Sequence, residues 1–207
     1  SGEFGVKGSS LDDKFVLRLA AFYMYREDMQ LKSWQVEGQK FTGYIDNASS
    51  GENYGLEIEG SFQATDNLLL TGSAGYLNTE INDFVAQSGL DQDGRDQAQA
   101  PKYQYAFTAR YNFTPELYAS IGVEGKDDYY FSDSHNSKAP SSNLVNASFG
   151  YESDNWSINA WARNLFDEDV PTRGFEFGND PLDGYTTHTY TQLGEPMVAG
   201  VTFIYEL

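Results

Sequence analysis

The chain has 207 residues and a formal net charge of −18, which excludes a protein that binds nucleic acid through a basic surface. It has no cysteine, which excludes disulfides and thiolate metal sites, and no apolar run of 18 residues, which excludes a transmembrane helix. The 15 Tyr, 14 Phe and 20 Gly residues favour many strands and turns, within one large domain or part of a larger one.

Nine segments alternate apolar and polar residues, as a β-strand does when successive side chains point to opposite faces. The predicted strands are 3–8, 15–25, 54–63, 68–80, 103–113, 117–130, 143–152, 156–164 and 197–207. The clearest is 103–113, whose apolar face has aromatic residues at both ends, and the last ends with Tyr205 and Leu207 on its apolar face. Aromatic ends around an apolar middle are typical of strands that cross a membrane as a β-barrel.

The connections between these strands alternate in length. The short ones, at 9–13, 64–67, 114–116 and 153–155, are rich in turn-forming Asp, Asn, Ser and Pro. The long ones are at about 34–44, 81–100, 131–141 and 165–195. Short turns on one side and long loops on the other describe a barrel in the bacterial outer membrane. The sequence therefore predicts an all-β, antiparallel transmembrane β-barrel surrounded by lipid.

Short motifs follow one another in an informative order. They are Glu3–Gly8, Tyr54–Gly60, Gly75–Leu77, Asn164–Asp167 and Leu193–Pro196. Together they resemble the carboxyl-terminal part of a TonB-dependent outer-membrane receptor, although Leu207 stands where that family usually has Phe. The resemblance implies that residues 1–207 are about nine consecutive carboxyl-terminal strands of a 22-stranded barrel, without the plug and the upstream strands.

The resemblance also implies a function. Receptors of this family take up a scarce ligand across the outer membrane, most often an iron–siderophore complex, and haem, vitamin B12 or oligosaccharide are alternative ligands. The implied partners are lipid, the small-molecule ligand, the missing plug and upstream strands, and the TonB complex, which would act through the absent plug. A secreted, soluble β-sandwich that binds glycans is the alternative from another class.

No catalytic residue is predicted, and the chain is not expected to be an enzyme. His135 and His188 both fall in predicted loops and are interpreted as surface histidines. The longest predicted loop, 165–195, has seven acidic residues and a single arginine. Its predicted ligand-binding residues are Phe175, Phe177, Tyr185, Tyr190 and Arg173, because aromatic rings stack on flat chelates or sugars. Alternatively, these aromatic residues hold the loop against the barrel rim.

Two further sets of charged residues carry predictions. Asp91, Asp93 and Asp96 surround a glycine turn with a spacing that calcium loops use, so calcium is a candidate ligand there. No other metal or cofactor is expected. A second set is predicted to face the lumen, where its members pair across strands or hold the plug: Arg18, Arg26, Glu57, Glu59, Lys102, Arg110, Glu124 and Arg163.

Overall fold

A computed structural model describes residues 1–10, 14–37, 40–86 and 89–206, so Leu207 lies outside the described residues. Within these residues no helix is long and apolar enough to cross a membrane. A single 3-10 turn occurs at Pro181–Asp183. The strands are β1 (Gly2–Ser10), β2 (Phe15–Glu37), β3 (Lys40–Thr65), β4 (Leu68–Asn82), β5 (Tyr103–Asn112), β6 (Leu117–Lys126), β7 (Tyr129–Tyr130), β8 (Lys138–Ala139), β9 (Ser142–Glu152), β10 (Trp156–Arg163), β11 (Pro171–Phe177), β12 (His188–Leu193) and β13 (Val198–Tyr205).

Nine of these strands form one antiparallel sheet in the order β1-β2-β3-β4-β5-β6-β9-β10-β13. The nine predicted strands are therefore confirmed, as is their antiparallel arrangement. β1 and β13 are the two edges, and the described residues form an open part of a barrel wall. The other four strands form two small hairpins, β7–β8 and β11–β12, which lie within the long connections.

The sheet has one apolar face and one polar face, as the alternating sequence predicts. In β2 and β3, Leu19 is paired with Ile58 on one face while Arg18 is paired with Glu59 on the other. The apolar face is solvent-accessible, with Leu56 60% exposed and Ile121 56% exposed. A large apolar face left uncovered by the described residues requires apolar surroundings. The soluble β-sandwich alternative is wrong, because a sandwich would cover this face with a second sheet.

Aromatic side chains lie towards the ends of this apolar face. Tyr111 and Phe113 pack edge to face with ring centroids 5.0 Å apart, and Phe113 and Phe149 are 6.4 Å apart. Trp156 stacks against Tyr151 at 5.2 Å and lies 6.1 Å from Phe203 of the last strand. Tyr205, the predicted terminal-strand residue that the structure describes, is paired with Trp156 and is 56% exposed. Such aromatic groups suit the boundary between hydrocarbon and water.

The predicted loop at 34–44 is wrong, because β2 continues to Glu37 and β3 begins at Lys40. Beyond Glu27 these two strands leave the main sheet and form a two-stranded ribbon. A ribbon outside the membrane needs no lipid-facing side, so its apolar alternation fades while the backbone pairing continues. Where it leaves the sheet, Met29 and Leu31 are buried in a cluster with Ile81, Phe84 and Ala86.

Two other boundaries also differ from the predictions. The strand predicted at 117–130 ends at Lys126, and Tyr129–Tyr130 form a separate short strand. The predicted loop at 165–195 contains the hairpin β11–β12. In both places the paired backbone belongs to a long connection rather than to the nine-stranded sheet. Residues there have no lipid-facing side, so apolar and polar residues do not alternate with period 2.

Several lumen charges pair across strands, as expected. Arg18 Nη1 lies 3.1 Å from Glu59 Oε1, Arg110 Nη2 lies 3.3 Å from Glu152 Oε1, and Glu124 accepts a 3.2 Å hydrogen bond from Asn146. The two ion pairs are partly solvated, so each contributes on the order of 0–1 kcal/mol. Their role is to complete the polar face of the sheet.

Candidate ligand-binding site

A groove of about 1030 Å³ runs along the polar face of the sheet. Side chains of both charge signs line it, including Arg18, Glu57, Glu59, Glu124, Lys126 and Arg163. Thr172 and Gly194, at the base of the β11–β12 hairpin, line the same groove. The base of the hairpin therefore borders the groove.

Arg95 joins two long connections, 81–100 and 131–141, into one platform. It is only 9% exposed. Its guanidinium donates to the carbonyl oxygen of Ser132 at 2.8 Å, to that of His135 at 3.0 Å and to Asn136 Oδ1 at 2.8 Å. It also lies over the Tyr130 ring, 4.2 Å from the centroid. A planar group with several donors is suited to hold several acceptors at once.

The carboxylate near Arg95 plays a smaller part. Asp133 Oδ1 is 3.8 Å from Arg95 Nη2, beyond hydrogen-bonding distance. Burial lowers the pKa of Arg95 and raises the pKa of Asp133, so for both groups desolvation outweighs their mutual attraction. The loop carbonyls, rather than the carboxylate, are therefore the principal partners of the guanidinium.

The inner face of the β11–β12 hairpin rests on this platform. Gly174 is buried, and a Cβ atom there would lie 2.3 Å from the Phe131 ring, so only glycine fits. The Ser137 hydroxyl donates to the Glu176 carboxylate and lies 3.0 Å from Thr189 Oγ1. One loop residue thus holds both strands of the hairpin.

The outer face of the hairpin carries four of the five predicted ligand-binding residues. Phe175 is paired with Tyr190, and Arg173 and Phe177 flank Phe175 on the same face by strand alternation. Phe177 stacks on Tyr190 with centroids 4.6 Å apart, while Phe175 is 53% exposed. Arg173 is exposed and makes no hydrogen bond or ion pair with any side chain that the structure describes. The fifth residue, Tyr185, lies in the turn with a φ of 61° and is not part of the stack.

The three aspartates predicted to bind calcium have separate partners. Asp91 Oδ1 accepts from the Asp93 amide at 3.0 Å, Asp93 Oδ1 accepts from the Asp83 amide at 2.9 Å, and Asp96 pairs with Lys102 at 3.3 Å. Among the described residues no group of three or more potential metal ligands comes together. Calcium binding here stays a prediction, which isothermal titration at millimolar calcium would decide.

The Asn164–Asp167 motif connects β10 to the start of the last strand. Asn164 is 3% exposed and has a φ of 47°. Its Nδ2 donates to the carbonyl oxygens of Glu168 at 2.9 Å and Glu195 at 3.1 Å, and its Oδ1 accepts from the Glu168 amide at 2.9 Å. Asp167 Oδ1 then accepts from the Met197 amide at 2.8 Å. The motif therefore closes the segment that carries the β11–β12 hairpin.

Sequence reasoning did not predict that Arg95 and His135 are buried. Arg95 is the single basic residue in an acidic connection, and nothing in its spacing indicates burial. The interpretation of His135 as a surface histidine is wrong, because it is 8% exposed, whereas His188 is exposed as predicted. Burial in these loops depends on contacts between distant connections, which local periodicity does not report.

The position of His135 predicts a pH dependence. Its Nδ1 lies 3.8 Å from Glu176 Oε1 and has no hydrogen-bond partner among the described atoms. Burial lowers the pKa of His135 below its usual value, nearby Arg95 acts in the same direction, and Glu176 and a backbone hydrogen bond at Gly174 oppose it. The folded state thus binds fewer protons than the unfolded state, so stability is lost as the pH falls from about 6.5 through the lower folded value.

Thermal unfolding of the full-length protein between pH 7.5 and pH 5 would measure this effect. The wild type is expected to lose stability relative to His135→Gln as the pH falls. His188→Gln removes the exposed histidine and serves as the matched control, which should track the wild type. Parallel curves for the wild type and His135→Gln would contradict the prediction.

Comparison with known proteins agrees with this architecture. The family model described as TonB dependent receptor-like, beta-barrel matches residues 1–165. Among solved structures, the siderophore receptor PiuA from Acinetobacter baumannii is 20% identical with a TM-score of 0.72, covering 98% of this chain and 27% of that one. The ferric yersiniabactin uptake receptor FyuA from Yersinia pestis is 18% identical with a TM-score of 0.77, covering 98% and 29%.

A third solved structure, the copper transporter OprC, is 17% identical with a TM-score of 0.75, covering 98% of this chain and 30% of that one. At these identities the likeness shows the fold, and the chain spans less than a third of each of these proteins. The family match covers most of the chain and agrees with the nine antiparallel strands and their two faces. The chain therefore belongs to the family of TonB-dependent receptor β-barrels.

Proposed function

We propose that this chain is part of the barrel of a bacterial outer-membrane receptor for energy-coupled uptake of a scarce ligand, and that the ligand is an iron–siderophore complex. The observation that carries the proposal is the exposed aromatic outer face of the β11–β12 hairpin, whose base borders the lumen groove, in a chain of this family. The family and the similar structures are receptors and transporters, and no catalytic role is proposed for any residue.

The hairpin offers two kinds of contact to a ligand. The exposed Phe175 ring and the Phe177–Tyr190 stack provide flat apolar surfaces, which suit the rings of a chelate or a sugar. The Arg173 guanidinium provides a positive group beside them, without a competing partner among the described side chains. Solved structures of siderophore and ferric-chelate receptors share the fold, which supports an iron chelate over the alternatives of haem, vitamin B12 and oligosaccharide.

Fluorescence titration of the full-length receptor with a ferric tris-catecholate, a ferric hydroxamate, haem and cyanocobalamin would test this proposal. Binding of one ferric chelate with micromolar or lower Kd, and loss of growth under iron limitation when the full gene is deleted, are the expected results. Tight binding of haem or cyanocobalamin alone would replace the proposed ligand. If none of these ligands bound and the deletion strain showed no growth defect, the proposal would be wrong.

Replacement of Phe175 by alanine is expected to weaken binding of that ferric chelate about tenfold, because loss of one stacking contact costs about 1 kcal/mol or more. Arg173→Gln should weaken binding by a similar factor if the ligand carries an anionic group. Phe166→Ala is the matched control, since Phe166 is a 68% exposed aromatic residue of the same connection outside the hairpin. Equal Kd values for Phe175→Ala and the wild type would show that the hairpin face does not bind the ligand.

A further inference from the structure

We infer that Arg95 is a positioning residue for the β11–β12 hairpin, although the two are far apart in the sequence and make no direct contact. This inference deepens the proposed function. It rests on the proposed function only for the role of the hairpin in ligand capture. It follows from a chain of contacts that leads from the end of β4, through Arg95 and the 132–137 loop, to the inner face of the hairpin.

The first link fixes Arg95 to the barrel wall. The Ile81 amide donates to the Arg95 carbonyl oxygen at 2.9 Å, and the Gly94 amide donates to the Ile81 carbonyl oxygen at 2.9 Å. Ile81 is completely buried at the end of β4. The backbone of Arg95 is therefore an extension of the sheet, and its side chain starts from a rigid base.

The second link runs from the guanidinium to the loop. Its contacts with the carbonyl oxygens of Ser132 and His135, and with Asn136 Oδ1, lie within five consecutive residues. Neighbouring groups reinforce this attachment: Gln92 Nε2 donates to the Asp133 carbonyl oxygen, and Gln99 Nε2 donates to that of Phe131 at 2.9 Å. Arg95 is the one residue among them that spans the loop from Ser132 to Asn136.

The third link runs from the loop to the hairpin. Phe131 covers Gly174, and the Ser137 hydroxyl contacts both Glu176 of β11 and Thr189 of β12. These contacts use the inner face of the hairpin and leave Phe175 and Tyr190 on the outer face. If the contacts between Arg95 and the loop are lost, the hairpin loses its support and its outer face loses its fixed position.

Trypsin cleavage after Arg173 reports directly on this coupling and needs no ligand. Arg173 is the only arginine or lysine between 165 and 195, and the bond that follows it enters the buried Gly174. Cleavage there requires the hairpin to open locally. The fragment that begins at Gly174 identifies the event by mass, and the full-length receptor in detergent is the substrate.

In Arg95→Gln, this cleavage is expected to accelerate at least tenfold while the melting temperature of the barrel stays within about 2 °C of wild type. Arg110→Gln is the matched control, because Arg110 likewise lies near a carboxylate and over a tyrosine ring, 3.6 Å from its centroid. None of its described contacts is with residues 81–100 or 131–141. Its cleavage rate should remain within twofold of wild type. Equal loss of barrel stability and hairpin protection in Arg95→Gln would show a merely structural role and overturn the inference.

A double-mutant cycle tests whether Arg95 acts through the loop. Ser137→Ala removes the hydroxyl that holds the hairpin, and it should also accelerate cleavage. Because the two residues belong to one chain of contacts, the double variant should cleave no faster than the faster single variant. If the double variant instead accelerated cleavage by the product of the two single-variant factors, the inference would be overturned.

If Arg95→Gln does not assemble, Arg95→Lys provides the same test. Lysine keeps the positive charge near Asp133 but cannot span the loop acceptors with one ammonium group. Faster cleavage after Arg173 in Arg95→Lys supports the inference, and a wild-type rate overturns it. Since no ligand is used, either result leaves the proposed iron-chelate function to its own binding test.

Discussion

Replacement of Ile121 by arginine is expected to destabilise the barrel by about 2–4 kcal/mol, the cost of an arginine on the lipid face near the middle of a membrane. Ile121 lies at the centre of β6, is 56% exposed and is paired with Ala109 and Ala147. Its surroundings on this face are apolar, so no neighbouring group can stabilise the introduced charge. Urea unfolding of the full-length protein in lipid vesicles measures the difference in free energy.

Thr108→Arg provides the matched control. Thr108 lies on β5 next to Ala109, and strand alternation places it on the polar face beside Gly122 and Thr71. Water and lumen carboxylates can solvate an arginine there, so the change in unfolding free energy should stay below about 1 kcal/mol. If both variants lost equal stability, the assignment of the apolar face to lipid would be wrong.

Replacement of Asn164 by alanine is expected to lower the free energy of unfolding by about 2–3 kcal/mol. The carbonyl oxygens of Glu168 and Glu195 would lose their side-chain donor, at about 1–3 kcal/mol for buried polar groups left unpaired. The positive φ of 47° adds about 1 kcal/mol, because alanine tolerates the left-handed region less well than asparagine. The same unfolding measurement would record the loss.

Two other variants separate these contributions. Asn164→Gly removes the hydrogen bonds but tolerates the backbone conformation, so its loss should be smaller than that of Asn164→Ala. Asn159→Ala is the control, because Asn159 lies on β10, which Asn164 directly follows, and its Oδ1 has no partner among the described atoms. A loss for Asn159→Ala as large as that for Asn164→Ala would show that the motif does not act through its hydrogen bonds.

The membrane-crossing strands could be predicted because lipid imposes a simple rule on each residue. Along β5 and the following Phe113, every second residue from Tyr103 is apolar or aromatic, so the alternation continues without interruption. The ribbon of β2 and β3 could not be delimited in this way, since hydrogen bonding between its strands constrains the backbone but not the polarity of each position. Alternation therefore reports the surroundings of a strand more directly than it reports the strand itself.

The candidate site could be predicted only in part, because the sequence shows residue types but not contacts between distant segments. Phe175, Phe177 and Tyr190 attract attention as aromatic residues in an acidic loop, and the hairpin brings them to one face. Their support by Ser137 and Arg95 depends on contacts between connections that are distant in sequence. Such contacts have no local signature, and an isolated arginine among acidic residues is equally consistent with an exposed side chain.

The β2–β3 ribbon affects how closely copies of this chain can lie beside one another in one membrane. From Glu27 to Glu37 it rises about 33 Å at about 3.3 Å per residue, and beyond Leu31 no described strand pairs with either of its edges. Free strand edges favour association between chains. Lys32 and Asp46 place charges along the ribbon, and Asp28, with a φ of 50°, interrupts its ladder. These features oppose edge-to-edge pairing, so neighbouring copies can lie close together without aggregating through their longest hairpin.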